Sequence, residues 1–211
     1  MPSPTTLVMH FTHEDNLERI LDQGGLLCDR ACQKSGLNRR NIAYTSIKAQ
    51  RARTVVEVPP GGTLDQYVPF YFGPKSPMML TYKSGNVTGK REDLSELLYF
   101  VTAAQDIAAA GLPFAFTDGH PIVEPRLFFN DLVDLREVDL PLMKERDWFD
   151  YDDYPDRKRR RQAEFLVWEK MPLEYMRGIV TMNEEKCRKV LGILESNDVD
   201  LPCRSRPGWY Y

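Results

Sequence analysis

The amino-acid sequence predicts an α+β fold in which one domain spans residues 1–211. Short apolar runs typical of strands recur along the chain, and helical patterns occupy only some of the intervals between them. No regular βαβ alternation connects the two kinds of element. A chain of 211 residues is also long enough to bury about 70% of the surface that its unfolded state exposes, so a single core is expected.

The start of the chain predicts one strand and one helix. The run "TLVMH" predicts a short strand. Thr12 is then expected to cap a helix, with Asp15 three residues further on as a weaker form of the capping box. This helix should end at Gly24 and Gly25. Its apolar stripe consists of Leu17, Ile20 and Leu21.

The middle of the chain predicts three strands and a short helix. The aromatic stretch 67–72 is bounded by proline and glycine and predicts a strand. Residues 97–101 and 113–117 predict two more strands. A short helix that Gly111 closes should lie between them.

The last part of the chain begins with an irregular stretch, residues 118–161, that contains local helical patches. Such a length exceeds the usual ~4–6 residue connection and favours a recognition loop over a linker. A strand around Glu164, a strand at 178–181 and a helix capped by Asn183 should follow. One face of that helix should carry Cys187, Val190, Leu191 and Leu194.

The composition favours a cytoplasmic protein without a bound metal. No apolar run approaches the ~20 residues that span a bilayer, and the first residues lack the features of a secretory signal. The cysteines show no paired spacing, which indicates free thiols in a reducing compartment. They are Cys28, Cys32, Cys187 and Cys203.

Common catalytic motifs are missing from the sequence. Its glycines match neither G-x-G-x-x-G nor a Walker A loop, so a Rossmann or P-loop nucleotide site is not expected. G-x-S-x-G and H-E-x-x-H are also absent. A Cys/His nucleophile stays open, although no local signature supports it.

Basic side chains are concentrated in two segments, although the net charge is −3. Residues 30–53 contain seven basic residues and no acidic one, and residues 157–161 form an unbroken basic run. Such segments either bind an anionic ligand, whether a dinucleotide or a nucleic-acid backbone, or are solvated faces. The seven are Arg30, Lys34, Arg39, Arg40, Lys48, Arg51 and Arg53.

Three features of the sequence are candidates for a site. His10 and Thr12 should lie on one side of a strand end, where they can hydrogen-bond a ribose diol or an amide. Arg51 can clamp a phosphate or a carbonyl. Glu164 interrupts an apolar strand, and a carboxylate fixed there suits holding a sugar hydroxyl and stabilising positive charge at an anomeric carbon. Each candidate has a structural alternative. His10 and Thr12 could be a surface histidine and a helix cap, Arg51 a solvated arginine on a helix face, and Glu164 a residue on the solvent-exposed face of its strand.

Four blocks of sequence occur in a specific order: "HFTHEDNLERIL", "GGTLDQYVPFYFGPKSPM", "GLPFAFTDGH" and "RRRQAEFLVWEKMP". They resemble the DarT family of bacterial NAD-dependent DNA ADP-ribosyltransferase toxins, over nearly the whole chain to the final "WYY". The branch that modifies thymidine is more similar than the branch that modifies guanosine. The resemblance implies a toxin that blocks replication, with the macrodomain antitoxin DarG as the partner that reverses the modification.

The resemblance implies an ADP-ribosyltransferase fold. In this fold a split, mostly antiparallel sheet with flanking helices holds NAD+, the co-substrate, in a cleft between its halves, and no metal is implied. His10, Phe11 and Thr12 correspond to the family's H-x-T element at the nicotinamide end. The other residues implied to bind NAD+ are Arg19, Leu27, Arg51 and Tyr71.

Glu164 and Arg51 correspond to the family's catalytic residues. Breaking the bond between nicotinamide and ribose develops positive charge at C1′, which the carboxylate of Glu164 would stabilise most in the transition state. N3 of thymine is the implied nucleophile. An arginine pKa above ~12 argues against a general base. We therefore expect Arg51 to polarise a thymine carbonyl or the NAD+ phosphate.

Single-stranded DNA is the expected substrate, because a base-pairing atom must be unpaired to react. Tyr71 and Phe72 are candidate stacking platforms for bases, with core packing as the alternative. Packing is also the alternative for Met78 and Met79. The residues implied to contact DNA are Lys75, Ser76, Pro77, Met78, Met79, Leu80 and His120.

Other functions remain compatible with the sequence. The acceptor could be guanine in DNA, RNA or a protein, and a simple NAD hydrolase would use water. A non-catalytic module that binds single strands is a further alternative, in which Glu164 would be dispensable. We expect a monomer that does not bind a membrane.

Overall fold

A computed structural model of the protein describes residues 5–37, 40, 42, 44–86, 89–145, 147 and 149–211. Within these residues the strands are β1 (Leu7–His13), β2 (Gly25–Leu27), β3 (Tyr67–Tyr71), β4 (Leu97–Ala103), β5 (Phe114–Thr117), β6 (Phe128–Phe129), β7 (Glu164–Trp168), β8 (Lys170–Pro172), β9 (Gly178–Thr181) and β10 (Cys203–Ser205). The α-helices are α1 (Leu17–Asp22), α2 (Asp29–Lys34), α3 (Thr45–Arg51), α4 (Pro77–Ser84), α5 (Ala104–Ala109), α6 (Arg157–Arg160) and α7 (Glu184–Ser196).

Eight of these strands form one sheet in the order β10-β9-β4-β1-β3-β7-β5-β6, and β2 pairs with β8. Neighbouring strands are antiparallel except β9 and β10. β1 pairs with β4 along its whole length, whereas β1 and β3 share only the pair of Met9 with Tyr71. The sheet therefore divides between β1 and β3, and the predicted split, mostly antiparallel architecture is confirmed.

Pro69 gives a local cause for this division. It lies in the middle of β3 and has no backbone N–H, so it cannot donate to β1. Its carbonyl oxygen instead lies 2.8 Å from Nδ1 of the His10 ring. A side chain thus replaces a bond of the ladder, and β1 and β3 diverge beyond Met9.

Most predicted elements are present, with small shifts at their ends. β3, β4, β5 and β9 occupy the predicted stretches, and α5 precedes Gly111, whose φ of +68° suits a glycine. α7 begins as predicted, because the Asn183 side chain accepts a hydrogen bond from the Lys186 N–H.

Two predictions about individual residues are wrong. Thr12 belongs to β1 because pairing with β4 continues to His13, and the ring of His13 caps the next turn by accepting from the Asp15 N–H. Leu191 is 42% exposed, since it lies at the edge of the α7 stripe. The buried stripe is Cys187, Val190 and Leu194.

The basic run 157–161 has a structural role. Arg157, Arg159 and Arg161 are buried. Arg157 pairs with Glu145, and Arg159 lies 2.8 Å from Asp118. These two pairs hold the long stretch 118–161 together, and Arg161 joins it to the Pro74 carbonyl at 3.0 Å. The three buried arginines are therefore neither a solvated face nor an open anion site, whereas Lys158 is exposed.

The described part of the chain contains no helix long and apolar enough to cross a membrane. The four cysteines are free thiols. No group of three or more His, Cys, Asp or Glu side chains that could hold a metal ion occurs among these residues.

Candidate active site

A cavity of about 280 Å³ opens where β1 and β3 diverge. This volume is near the lower end of the ~300–1,000 Å³ of small-molecule sites. β1 lines one side of the cavity, β3 and the start of β7 line the other, and α3 and α4 contribute further wall. The polar side chains on the wall include His10, Thr12, Arg51, Tyr71, His120 and Glu164.

Glu164 and Arg51 form a buried ion pair in this cavity. Nη1 of Arg51, the last residue of α3, donates to both carboxylate oxygens of Glu164, at 2.8 and 3.1 Å. Only 14% of the Arg51 side chain and 6% of the Glu164 side chain are exposed. Nη2 of Arg51 is buried and has no hydrogen-bond partner among the described residues. A charged nitrogen buried without a partner carries a desolvation cost, which a hydrogen-bond acceptor of a ligand would offset.

The backbone around Glu164 is fixed from two sides. Glu164 pairs with Tyr71 at the end of β3, and its N–H donates to the hydroxyl of Thr117 at 3.1 Å. That hydroxyl donates in turn to the Gly119 carbonyl at 2.6 Å. The carboxylate in the apolar strand is therefore a rigidly held group that faces the cavity. The alternative that Glu164 lies on a solvent-exposed strand face is wrong.

His120 lies on the same wall as the ion pair. Its Nδ1 accepts a hydrogen bond from the Ile122 N–H at 3.3 Å, which leaves the proton of a neutral ring on Nε2. Burial lowers the His120 pKa, the negative charge of Glu164 opposes this shift, and the positive charge of Arg51 adds to it. A neutral imidazole that donates through Nε2 follows at neutral pH.

The lowered His120 pKa predicts a pH dependence of stability. Once the pH falls below about 6.5, the His120 ring binds protons more readily in the unfolded chain than in the folded chain. The contribution of neutral His120 to the free energy of unfolding is therefore complete above that pH and is lost as the pH falls further. In thermal unfolding, His120→Gln should lose less Tm than the wild type between pH 7.5 and 5.5. NMR of the His120 ring provides the direct check, and a midpoint above 6.5 would contradict the prediction.

The fold brings most of the residues implied to bind NAD+ together on the wall of the cavity. The cavity wall contains six of the seven: His10, Phe11, Thr12, Leu27, Arg51 and Tyr71. Arg19 instead lines a small adjoining hollow that shares His10, Thr12 and Leu27 with the main cavity. Thr12 is held by the Asn16 side-chain amide, which donates to its hydroxyl at 3.0 Å.

The residues implied to contact DNA separate into two groups. Pro77, Met78 and His120 lie on the cavity wall. Ser76 is buried as the N-cap of α4, while Lys75 and Leu80 are partly exposed beside the wall. The start of α4 thus presents Pro77 and Met78 to the cavity, whereas the other side chains of this segment do not line it.

Two of the proposed base contacts lie in the core instead. Met79 is fully buried, and its sulfur lies 3.7 Å from the Tyr99 hydroxyl, so its side chain does not reach the surface. Phe72 is 7% exposed and packs edge-on against Phe116 and Phe165. Packing is the role of both, and Tyr71 is the aromatic residue of this strand on the wall.

The basic segment 30–53 is largely neutralised by acidic residues from other elements. Arg30 pairs with Asp65 at 3.0 Å, and Lys48 pairs with Asp29 at 2.9 Å. Arg40 contacts both Asp15 and Glu92. Arg30, Arg40 and Lys48 are therefore paired within the fold and do not form an open cationic surface. Arg39 lies outside the described residues.

The sequence did not indicate several residues of the wall. Asn16 is buried, and its side-chain oxygen accepts from the Arg40 N–H at 2.8 Å while its amide donates to the Arg40 carbonyl at 3.0 Å. Asp65 is buried against Arg30. No local pattern distinguishes these two from surface residues, because their partners are remote in sequence.

The sequence model of the family described as "DarT: ssDNA thymidine ADP-ribosyltransferase, DarT" matches residues 9–211. A DNA ADP-ribosyl transferase of Thermus sp. (strain 2.9) is 38% identical over 216 aligned residues, which cover 100% of this chain and 98% of that protein.

Solved structures of Thermus sp. 2.9 DarT are similar to the fold described above. The complex with ADP-ribosylated ssDNA has a TM-score of 0.89 and 36% identity, and the match covers 98% of this chain and 96% of the other. The complex with NAD+ has a TM-score of 0.86 and 34% identity, and covers 100% and 99%.

Proposed function

Because the chain belongs to the DarT family of ssDNA thymidine ADP-ribosyltransferases, we propose that it transfers ADP-ribose from NAD+ to a thymine base in single-stranded DNA. The observation that carries this proposal is the buried pair of Arg51 and Glu164 in the cleft of the split sheet. One guanidinium nitrogen of this pair, Nη2 of Arg51, has no protein partner among the described residues. All of residues 1–211 act as one transferase domain.

Glu164 stabilises the charge that develops during transfer. The bond between ribose C1′ and nicotinamide breaks, its electron pair leaves with nicotinamide, and positive charge builds at C1′. The carboxylate of Glu164 accepts hydrogen bonds from ribose hydroxyls and lowers the energy of that charge. Its two bonds from Arg51 fix the orientation of the carboxylate.

Arg51 acts on the acceptor base. Its Nη1 is occupied by Glu164, and its Nη2 donates to a thymine carbonyl. This donation stabilises negative charge on the base as N3 loses its proton to solvent and forms the new bond to C1′. The division of work between the two nitrogens requires a planar guanidinium, which a point charge does not supply.

The remaining wall residues hold the two substrates. His10 and Thr12 lie on the β1 side, where NAD+ enters by family resemblance, and Tyr71 lies between the two halves. His120, Pro77 and Met78 face the base, with the Nε2–H of His120 as a further donor. An unpaired base is required, since a duplex hides N3.

Mass spectrometry of oligonucleotides tests the proposal. The protein is incubated with NAD+ and a thymine-containing single strand, and separately with a thymine-free strand of equal length. We expect an adduct of one ADP-ribose on the first strand alone, with release of nicotinamide. An adduct on a guanine-containing, thymine-free strand would move the acceptor to guanine.

The same assay separates the other functions. NAD+ consumption without any adduct identifies a hydrolase, and an adduct on RNA or protein alone identifies another acceptor. Intact NAD+ together with tight oligonucleotide binding identifies a non-catalytic module. Each of these outcomes would overturn transfer to thymine.

A macrodomain antitoxin of the DarG type is the proposed partner, supported by family membership. Such a partner would remove ADP-ribose from the modified base in the cytoplasm, where we place the enzyme. Purified macrodomain added to the modified oligonucleotide should restore the unmodified mass. Persistence of the adduct would argue against this partner.

A further inference from the structure

The turn formed by residues 73–76, which joins β3 to α4, has an unfavourable backbone conformation. Lys75 has a φ of +60°, a value that side chains with a Cβ adopt at a cost. Gly73 admits no side chain, because a Cβ there would lie 2.3 Å from the Met143 carbonyl oxygen. Such a conformation persists only where the surroundings enforce it.

Three side chains from distant parts of the sequence enforce the conformation of the 73–76 turn. Arg161 donates to the Pro74 carbonyl at 3.0 Å. The Lys75 N–H donates to the Tyr99 hydroxyl at 3.3 Å, and the Tyr211 hydroxyl donates to the Lys75 carbonyl at 2.6 Å. Three successive backbone polar groups are thereby bound from outside the turn.

The 73–76 turn determines where α4 begins. Ser76 is the N-cap of this helix, and its hydroxyl accepts from the Met79 N–H at 3.3 Å. Pro77 and Met78 follow directly and lie on the cavity wall. A change of φ at Lys75 would redirect the first turn of α4 and displace both side chains.

We propose that Tyr211 is a positioning residue for the nucleic-acid substrate. By holding the Lys75 carbonyl it maintains the left-handed turn, and so presents Pro77 and Met78 to the target strand. This inference rests on the proposed function, since it assigns the α4 side of the cavity to DNA. Tyr211 itself does not line the cavity.

Tyr211→Phe tests the positioning role, because it keeps the ring and removes only the hydroxyl. The KM for the thymine oligonucleotide should rise about 3- to 10-fold, the size of one lost hydrogen bond. The KM for NAD+ and kcat should change by less than about twofold, because the hydrogen-bond partners described for the turn, Tyr99, Arg161 and Tyr211, do not belong to β1.

Tyr210→Phe is the matched control. The Tyr210 hydroxyl is buried and lies 3.0 Å from the Leu97 carbonyl and 3.1 Å from the Val180 carbonyl, neither of which belongs to the 73–76 turn. Tyr210→Phe also keeps the ring, which packs against Tyr99. Loss of the hydroxyl should lower Tm by about 2–4 °C while leaving the oligonucleotide KM unchanged. An equal rise of KM in this variant would show that general destabilisation, not positioning, is the cause.

A rescue experiment tests whether Tyr211 affects the oligonucleotide KM through the backbone conformation of Lys75. Lys75→Ala removes the charge but keeps the Cβ and its conformational cost, whereas Lys75→Gly removes both. Tyr211→Phe should raise the oligonucleotide KM about 3- to 10-fold in the alanine background and less than about twofold in the glycine background. An equal rise in both backgrounds would overturn the inference.

Hydrogen exchange gives a measurement that does not depend on activity. Amides in a peptide covering residues 73–80 should exchange faster in Tyr211→Phe than in the wild type or Tyr210→Phe. If the wild type forms no adduct, the proposed function fails, whereas unchanged KM and unchanged exchange in Tyr211→Phe overturn the positioning role alone.

Discussion

Glu164→Gln is expected to lower the kcat of ADP-ribose transfer at least about 100-fold. The amide keeps the shape of the carboxylate but has no charge to stabilise the cation that develops at C1′. Binding of the oligonucleotide should survive within a few-fold, because the side chain acts mainly in the transition state. Initial rates of adduct formation and fluorescence anisotropy of a labelled oligonucleotide measure the two effects separately.

Glu57→Gln is the control for this loss of charge. The Glu57 side chain is 68% exposed and lies 4.0 Å from Arg126, so its neutralisation should leave both kcat and stability nearly unchanged. If Glu164→Gln retained kcat within about tenfold of the wild type, the carboxylate charge would not be the main source of catalysis. Loss of oligonucleotide binding together with activity would instead indicate a structural role.

Arg51→Lys is expected to lower kcat about 100-fold while the protein stays folded. A lysine ammonium can still pair with the carboxylate of Glu164, which avoids leaving that charge buried and alone. It cannot at the same time place a second nitrogen where Nη2 of Arg51 lies. The expected loss therefore measures the contribution of the second nitrogen, and kcat for the thymine oligonucleotide is the quantity to compare.

Arg53→Lys is the matched control for Arg51→Lys. Arg53 is exposed just beyond the end of α3 and does not line the cavity, so the same exchange there should change kcat by less than about twofold. Near-full activity of Arg51→Lys would contradict the role of a planar donor. It would show that positive charge beside Glu164 is sufficient.

The sequence predicted the elements whose patterns are local. β9 and the start of α7 follow from an apolar run and from Asn183, which caps the helix with its own side chain. Thr12 has the composition of a cap as well, yet pairing of β1 with β4 extends the strand through it. Tertiary hydrogen bonds thus override a local capping preference.

The sequence also indicated the candidate reactive groups, but not their partners. Glu164 stood out as a carboxylate inside an apolar strand, and family resemblance joined it to Arg51. Both interpretations of the run 157–161 failed for Arg157, Arg159 and Arg161, because these are buried against acidic groups and backbone carbonyls of the chain itself. A charge run shows how many charges are present and not where they point.

By itself, the sequence determined six of the described strands, three of the helices and the types of side chain available for chemistry. These elements are β1, β3, β4, β5, β7, β9, α1, α5 and α7. These follow from the period of apolar residues along one element, which each segment carries alone. Only the tertiary structure decided that Arg51 meets Glu164, 113 residues away, and that Met79 is buried while Met78 faces the cavity. It also decided that Tyr211 holds Lys75. Such contacts depend on distances across the folded sheet, because ion pairs and hydrogen bonds form only within a few ångströms.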